Sequence, residues 1–274
     1  MTEYFSGKSA KDLSLARFDF ADAYGIDLRL NTKAVAIDTT AQTVTTNHGD
    51  VISYDKLVLA TGSYAFVPPI PGNDRENRLV YRTTEALDAI RAASLKAKTG
   101  VVIGGGLLGL EAAKALRDLD LETHVVEFAP RLMAVQIDDL GGKVLRRKIE
   151  DLGVKVHTQK ATQSIESGVN TTHVMKFADG SELETDVILF SAGIRPRDEL
   201  ARNSGLAIGE RGGIVINDYC QTSDQNIYAI VECALCQNKI YCLVAPGYDM
   251  ARIAAKHILD EERHCFAGAD MSTK

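Results

Sequence analysis

The chain has 274 residues, of which 45% are hydrophobic and 25% are charged, a composition typical of a soluble globular protein with one or two cores. Its formal net charge of -6 and pI near 5.6 argue against a basic surface for nucleic acid. No basic segment followed by an apolar run opens the chain, and no apolar run approaches about 18 residues. We therefore expect neither a secretory signal nor a membrane span, and predict a cytoplasmic protein.

The first 100 residues predict short strands, a connector and one helix. Polar turns separate four short strand patterns: Asp27–Leu30, Ala34–Ile37, Thr43–Thr46 and Val51–Ser53. Together they indicate a β-meander. An apolar strand over residues 54–60 follows, ends in the small-residue turn 61–63, and leads into a proline-rich connector at 67–72. Thr83 or Thr84 is a suitable N-cap for a helix that reaches about Ala93.

Residues 101–127 contain a dinucleotide fingerprint in its proper context. A strand pattern over 101–103 enters a glycine-rich turn, a helix pattern over 107–119 leaves it, and a second strand over 123–126 follows. Gly104 allows the tight turn, Gly106 lets the backbone approach a pyrophosphate, and Gly109 lets the helix pack on the strand. The helix amino terminus, with Leu107 and Leu108, presents N–H groups and partial positive charge to phosphates. A purely structural turn would show the glycines without these flanking elements, so we predict dinucleotide binding.

The acid at the end of the second strand indicates which dinucleotide is bound. Glu127 stands near the expected interval of about 20 residues after the glycine loop, where a carboxylate accepts hydrogen bonds from a ribose 2′-hydroxyl. This favours NAD over NADP, and Glu127→Ala is expected to weaken NADH binding with little loss of fold. Arg131, four residues later, weakens the preference, so NADP(H) stays open.

The remaining chain alternates between helix and strand patterns. They are a charged amphipathic helix Asp138–Leu152, a strand Val154–His157, a hairpin over 163–177, a buried strand over 186–190, strands Ile214–Asn217 and Ile227–Ile230, and a helix Tyr248–Leu259. The tail from Glu261 onward is polar and is predicted to be loose.

Five cysteines lie in the last 55 residues, at positions 220, 233, 236, 242 and 265. An odd number does not suit a disulfide framework, and reduced thiols are expected. Cys233 and Cys236 form a C-x-x-C pair, but the second pair of a zinc site is missing and the other spacings fit no zinc ribbon or finger. We therefore predict no metal site and regard these cysteines as incidental.

Several segments in this order resemble the FAD-dependent pyridine-nucleotide oxidoreductases. The strand-to-small-residue turns at 59–62 and 191–193 flank the fingerprint, and a strand carrying Glu232 follows them. More narrowly, six strings resemble the large subunits of NAD(P)H-dependent assimilatory nitrite reductases: ATGSY, VYRTT, GGGLLGLE, SAGIRPR, RGGIVIND and LVAPGY. The resemblance covers nearly the whole chain and is specific in combination. It implies an α/β protein with the two-dinucleotide-binding flavoprotein fold, in which a three-layer, Rossmann-like NAD domain is inserted in an incomplete FAD domain.

The resemblance also implies domain boundaries and roles for individual residues. The expected domains are a first part of the FAD domain (1–80), the NAD domain (81–195), a second part of the FAD domain (196–262) and a tail (263–274). Glu111 matches a helix acid near the meeting point of nicotinamide and flavin, and is the candidate catalytic residue, while Gly193 matches the loop beneath the nicotinamide. The candidate flavin residues are Thr61, Gly62, Arg82, Glu232 and Pro246. The turn residues 61 and 62 could instead be purely structural, and the two charged residues Glu111 and Arg82 could be ordinary surface residues.

The chain also departs from the family pattern. Full members open with their own strand-GxGxxG-helix unit for FAD, which this sequence lacks, and Val231 replaces the glycine that usually precedes the acid of the second FAD motif. A β-branched residue resists positive φ and blocks close backbone approach. FAD retention is therefore in doubt.

These matches and departures give two functional hypotheses. The first is an NADH:FAD oxidoreductase module that passes electrons to an iron-sulfur or siroheme centre on another domain or protein. Such a module is not expected to reduce nitrite by itself. The alternative is a truncated NAD-binding module or pseudoenzyme that no longer holds flavin. The disulfide reductases of this family carry a dithiol ahead of the NAD insertion, and no cysteine precedes Cys220, so disulfide reduction is disfavoured.

Overall fold

The computed structural model describes residues 2–5, 7–9, 11–261 and 264–269. The helices are α1 (Thr2–Phe5), α2 (Phe20–Tyr24), α3 (Thr84–Ser94), α4 (Leu107–Asp118), α5 (Asp139–Asp151), α6 (Glu199–Asn203) and α7 (Val244–Ile258). The strands are β1 (Ala34–Asp38), β2 (Thr43–Thr46), β3 (Val51–Ser53), β4 (Leu57–Leu59), β5 (Ser63–Ala65), β6 (Arg78–Val80), β7 (Thr99–Ile103), β8 (Glu122–Val126), β9 (Lys155–His157), β10 (Thr162–Ser167), β11 (His173–Phe177), β12 (Glu182–Thr185), β13 (Val187–Phe190), β14 (Ile194–Pro196), β15 (Ile214–Ile216), β16 (Ile227–Ala229) and β17 (Ala234–Cys236). Among the described residues, no helix combines the length and apolarity needed to cross a membrane.

The chain folds into two compact units, each assembled from two chain segments. The first unit comprises residues 1–17 and 65–193, and the second comprises residues 18–64 and 194–274. The first unit therefore includes residues 1–17 and 65–80, which the sequence-based boundaries placed in the other domain, and residues 194–195 belong to the second unit instead of the first. Residues 65–80 belong to the first unit because β6 joins its parallel sheet by pairing with β13.

The first unit has three layers around a five-stranded parallel sheet with the order β6-β13-β7-β8-β9. Strands β7, β8 and β13 are buried along almost their whole length, as expected of a parallel sheet covered on both faces. Side chains of α3 and α4 form the core on one face of the sheet. The antiparallel meander β10-β11-β12 packs on the other face through Ile165, Met175 and Phe177. The predicted α/β class and Rossmann-like layering are thus confirmed.

The predicted elements of the fingerprint match the structure closely. The predicted strand 101–103, helix 107–119 and strand 123–126 correspond to β7, α4 and β8 with shifts of at most two residues. The predicted helix cap at Thr83 forms, since its Oγ1 accepts from the N–H of Ala86 at 3.3 Å. Asp138, the first residue of the predicted helix 138–152, is also an N-cap, since its Oδ1 accepts from the N–H of Gly141 at 2.8 Å.

The second unit combines an antiparallel meander with short parallel strand pairs. Strands β1, β2 and β3 form the predicted meander, while β4 pairs with β16 and β15 pairs with β17, both in parallel. The core of this unit contains side chains from both strand pairs, together with Met250 and Ala254 of α7.

Three expectations for the second unit are wrong. Residues 27–30 are exposed and form no strand, because no neighbouring strand offers them a ladder and Asn31 turns the chain with φ +54°. The last helix begins at Val244 rather than Tyr248, which places Pro246 in the first turn, where its missing N–H removes no helical hydrogen bond. In the tail, Phe266 is buried edge-on against Tyr241. Residues 262–263 and 270–274 lie outside the described part.

Candidate functional site

Two of the fingerprint glycines are required by the packing of the first unit itself. Gly104 has φ +119°, and a Cβ there would lie 2.3 Å from the carbonyl oxygen of Ser191. A Cβ on Gly109 would lie 2.0 Å from the carbonyl oxygen of Gly104. These positions let α4 pack directly against the turn that follows β7, so any larger side chain would push the helix away.

Gly106 differs from the other two because neither its conformation nor its packing requires a glycine. Its φ is -81°, and a Cβ built there would have no heavy atom within 4 Å. It is also the N-cap of α4 and provides no side-chain oxygen for the first-turn N–H groups. Leu107 and Leu108 are partly exposed beside it. The turn therefore presents an open, electropositive helix end to a ligand, which is what a pyrophosphate needs.

Glu127 is tied to the same glycine turn. Its Oε2 accepts a hydrogen bond from the N–H of Gly105 at 2.5 Å, and its Oε1 accepts from the N–H of Ala129 at 2.7 Å. Because each carboxylate oxygen has a second acceptor site, the group can still receive ribose hydroxyls. These two bonds fix the carboxylate at the carboxyl end of β8. The sequence did not reveal the role of Gly105, although its place inside the glycine loop was a signal.

Arg131 is held by the segment that follows it. Its Nε donates to the carbonyl of Ile137 at 2.9 Å, one terminal nitrogen donates to Asp139 at 2.7 Å, and the other donates to the carbonyl of Ala134 at 3.1 Å. Its aliphatic stem packs over Gly142. In this arrangement all three nitrogens of the guanidinium group organise the loop before α5.

A histidine pair lies beside the Glu127 backbone. Nδ1 of His124 and Nε2 of His157 are 3.0 Å apart in stacked rings, and the carbonyl of His157 accepts from the N–H of Glu127 at 2.8 Å. Because Nε2 of His124 lies 3.1 Å from the acceptor-only carboxylate of Glu122, that nitrogen donates, and Nδ1 accepts from His157. Burial lowers the pKa of both rings. The other charged groups that act on the pair are Lys155, Lys160 and Arg146.

The other predicted residues of the first unit occupy separate places in it. Glu111 is half-buried on α4, one half-turn beyond Gly109. Arg82 is half-buried between β6 and the N-cap of α3, so it lies in the first unit rather than with the other candidate flavin residues. Gly193 has φ +105°, and its carbonyl accepts from the N–H of Phe66 at 2.9 Å.

A second site forms within the second unit at the carboxyl ends of β4 and β16. The two strands are parallel neighbours, so the turn 61–63 and the short helical turn Val231–Cys233 emerge at the same edge. There the hydroxyl of Ser63 donates to Oε2 of Glu232 at 2.6 Å. Ser63 was not among the predicted residues, and 169 positions separate it from its acceptor. Crevices at the carboxyl ends of parallel strands are the usual ligand sites of α/β sheets.

The loop after β4 is held by its backbone. Gly62 has φ +64°, and its carbonyl accepts from the N–H of Arg197 at 2.9 Å. The hydroxyl of Thr61 donates to the carbonyl of Arg197 at 2.6 Å. Thr61 therefore stabilises the turn, which agrees with the structural alternative, while the open space around a Cβ on Gly62 leaves room for a ligand.

The first turn of α7 completes this second site. Pro246 and Gly247 are buried there, and α7 has no side-chain cap. A Cβ on Gly247 would lie 3.1 Å from Cγ1 of Val231. The predicted flavin residues Gly62, Glu232 and Pro246 thus lie in the same unit, and the side chain of Val231 packs beside Gly247 there.

The cysteines are divided by burial. Those at positions 220, 233 and 236 are buried and reduced, and those at positions 242 and 265 are exposed. Burial, together with the neighbouring Cys236, raises the pKa of the Cys220 thiol to about 12. Within the described ranges, no three His, Cys, Asp or Glu side chains are grouped as metal ligands.

Comparison with known proteins gives consistent matches along the chain. A family model described as pyridine nucleotide-disulphide oxidoreductase matches residues 6–257. The nitrite reductase (NADH) large subunit of Escherichia coli (strain K12) is 53% identical over 275 residues, covering 100% of this chain and 32% of that protein. The nitrite reductase (NAD(P)H) large subunit of Klebsiella oxytoca is 57% identical over 277 residues, covering 100% and 28%. The chain thus spans about a third of the length of these relatives.

Solved structures match the fold over almost the whole chain. An NAD-dependent persulfide reductase from A. fulgidus superposes with a TM-score of 0.90 at 30% identity, covering 97% of this chain and 52% of that one. A water-forming NADH oxidase from Lactobacillus brevis, solved with NADH bound, has a TM-score of 0.89 at 25% identity, covering 99% and 62%.

Proposed function

Because the chain belongs to the pyridine nucleotide-disulphide oxidoreductase family, we propose that it is an NADH:FAD oxidoreductase module. Its first unit binds NADH and its second unit binds FAD. The observation that carries this proposal is Gly106, a glycine that the fold does not need and that leaves the amino terminus of α4 open. The persulfide reductase and the NADH oxidase are named for NAD and NADH, respectively, and share this fold.

The first unit favours NADH over NADPH through Glu127. Its carboxylate is fixed at the end of β8 by two backbone N–H groups, where it accepts ribose hydroxyls and repels a 2′-phosphate. Arg131 offsets this repulsion only in part, since three of its five guanidinium N–H donors already bind Asp139 and two backbone carbonyls. We therefore attribute the preference for NADH over NADPH to a fixed negative charge beside the ribose.

The second unit would hold FAD through Glu232, the glycine turn at Gly62 and the first turn of α7. Ser63 orients the acid, and the uncapped helix end offers partial positive charge to electronegative atoms of the cofactor. When bound, FAD supplies a hydride acceptor that can release its electrons singly. Glu111 and Gly193 of the first unit would position the nicotinamide. The flavin role of Arg82, which also lies in the first unit, stays a prediction from the family resemblance.

We further propose that the electrons pass to an iron-sulfur or siroheme centre on another domain or protein. The named relatives are nitrite reductase subunits about three times as long as this chain, and another relative at 38% identity is an assimilatory nitrate reductase electron transfer subunit of Bacillus subtilis (strain 168). A role in nitrate assimilation in the cytoplasm follows as part of this proposal. The position of Val231 favours the alternative, an NAD-binding module that does not retain flavin.

A visible spectrum separates these two functions. The purified chain is kept in a solution of FAD and titrated with NADH and with NADPH in the absence of oxygen, and FAD without protein is the control. Flavin bands that bleach with NADH at lower concentration than with NADPH, and only when the chain is present, support the oxidoreductase. A chain that binds NADH but does not reduce the added FAD supports the alternative, and a chain that binds neither NADH nor NADPH contradicts both.

A further inference from the structure

Val231 adopts a backbone conformation that its side chain disfavours. Its φ is +60°, and it is the one β-branched residue with positive φ in the described part of the chain. Left-handed backbone brings the Cβ of an L-residue against the neighbouring carbonyl, and a second branch at Cβ increases the crowding. Such strain persists only where surrounding structure fixes the backbone, and it is concentrated at ligand sites.

The surroundings of Val231 do fix its backbone. Strand β16 is paired to β4 through residues 227–229, and the N–H of Ile230 donates to the carbonyl of Leu59 at 3.0 Å. On the other side, Sγ of Cys233 lies 3.1 Å from the carbonyl oxygen of Ile230 and 3.4 Å from that of Leu59, and the two oxygens share its single S–H. The turn is therefore held at both ends, and Val231 must take the left-handed conformation between them.

The side chain of Val231 packs against Gly247, where no side chain occupies the space. Gly247 lies in the first turn of α7, and the nearest atom to a Cβ built on it is Cγ1 of Val231 at 3.1 Å, followed by Cβ of Val231 at 3.9 Å. The amino terminus of α7 has no side-chain cap, and Val231 directly precedes Glu232 in the chain. One methyl group of Val231 therefore occupies the space beside Gly247 in the first turn of α7.

We infer that Val231 is a steric gate that weakens flavin binding by the second unit, so that FAD exchanges with solution as a dissociable ligand. This inference rests on the proposed function, because it concerns the same flavin site. It requires no further group: the side chain occupies volume beside the helix end and prevents the cofactor from reaching the N–H groups there. Removing Cγ1 reopens the approach, and removing Cβ also relieves the backbone strain.

Two substitutions separate the steric effect from the strain. Val231→Ala removes Cγ1 but keeps a Cβ at positive φ, whereas Val231→Gly removes both. We expect the Kd for FAD, measured by quenching of flavin fluorescence, to fall at least about tenfold in both variants, the size of one charge-assisted contact. Without flavin, we expect the thermal midpoint to rise in Val231→Gly and to change little in Val231→Ala. The matched control is Val215→Gly, which makes the same change in strand β15, where the backbone is ordinary. We expect this variant to have a lower thermal midpoint and an unchanged affinity for FAD.

An NADH titration of the same samples distinguishes failure of the gate from failure of the proposed function. Equal Kd values for FAD in the parent chain and both Val231 variants overturn the gate and leave the function standing, even if Val231→Gly is more stable. A failure of all three proteins to bind FAD, with NADH binding intact, overturns the gate together with the flavin half of the function.

Discussion

Replacing Gly106 by alanine should abolish tight NADH binding while leaving the fold intact. The backbone at residue 106 has φ -81°, and a Cβ built there has no neighbouring heavy atom within 4 Å. The folded chain therefore accommodates alanine at this position without strain. Alanine is a poorer N-cap than glycine, which lowers the free energy of unfolding by about 0.5 kcal/mol. Alanine also makes the unfolded chain less flexible, which raises the free energy of unfolding by about 0.4–1 kcal/mol. The free energy of unfolding should therefore change by less than about 1 kcal/mol.

The effect on the cofactor should be much larger. A methyl group at Gly106 occupies the open space through which a pyrophosphate would reach the first N–H groups of α4. Loss of two charge-assisted hydrogen bonds, at about 1.5–3 kcal/mol each, raises the Kd for NADH by about 100-fold or more. Isothermal titration calorimetry measures this change, and urea unfolding measures the stability of the same preparation.

Gly109→Ala is the matched control, because it makes the same chemical change three positions farther along the chain. Its Cβ would lie 2.0 Å from the carbonyl oxygen of Gly104, so α4 must shift, and we expect a loss of about 3 kcal/mol or more from overpacking. Unaltered NADH affinity in Gly106→Ala would refute the placement of the pyrophosphate. If Gly106→Ala lost as much stability as Gly109→Ala, the finding that a Cβ fits at position 106 without contacts would be wrong.

Three further predictions concern other groups. Glu127→Ala should raise the Kd for NADH. It should also lower the free energy of unfolding, measured by urea titration, by about 1–3 kcal/mol, because the N–H groups of Gly105 and Ala129 lose their charged acceptor. Glu127→Gln should recover part of this stability in the same titrations. Since burial lowers the folded-state pKa of His124 and His157 below the unfolded value near 6.5, the folded chain binds fewer protons, and stability should fall as pH drops below about 6.5. Replacing both histidines by phenylalanine should flatten urea midpoints measured between pH 7.5 and about 5.5, and an unchanged slope would contradict the assignment. A thiol reagent should modify two cysteines in the native chain and five after unfolding, and rapid native modification of all five would contradict the burial.

The local elements of the fingerprint could be predicted because short-range patterns determine them. The alternation of strand and helix periodicity, the glycines and the cap at Thr83 each involve residues within a few positions of one another. Contacts between distant residues left no such pattern. The bond from Ser63 to Glu232 is an example, because it depends on the parallel register of β4 and β16. The same limit applies to the strand expected at 27–30, whose alternation is adequate but which has no partner strand.

The loop that holds Arg131 shows how a sequence-based interpretation changes when the donors of a side chain are counted. By position, an arginine four residues beyond the acid of the fingerprint could bind a 2′-phosphate. Its three guanidinium nitrogens instead bind Asp139 and the carbonyls of Ala134 and Ile137. These bonds use three of the five N–H donors of the guanidinium group and fix it on the loop before α5. NADP(H) therefore stays an open alternative, which the parallel titrations with NADH and NADPH decide.

The two sites show different relations between sequence and fold. In the first unit, Gly104 and Gly109 satisfy the packing of the fold, and Gly106 leaves a space that the fold itself does not use. In the second unit, the backbone keeps its left-handed turn at position 231 even though a valine occupies it, because the pairing of β16 with β4 determines the turn. The scaffold of the second site therefore persists independently of the residue best suited to it. On the proposed gate, a single side chain rather than a rearranged fold would control how tightly this unit holds FAD.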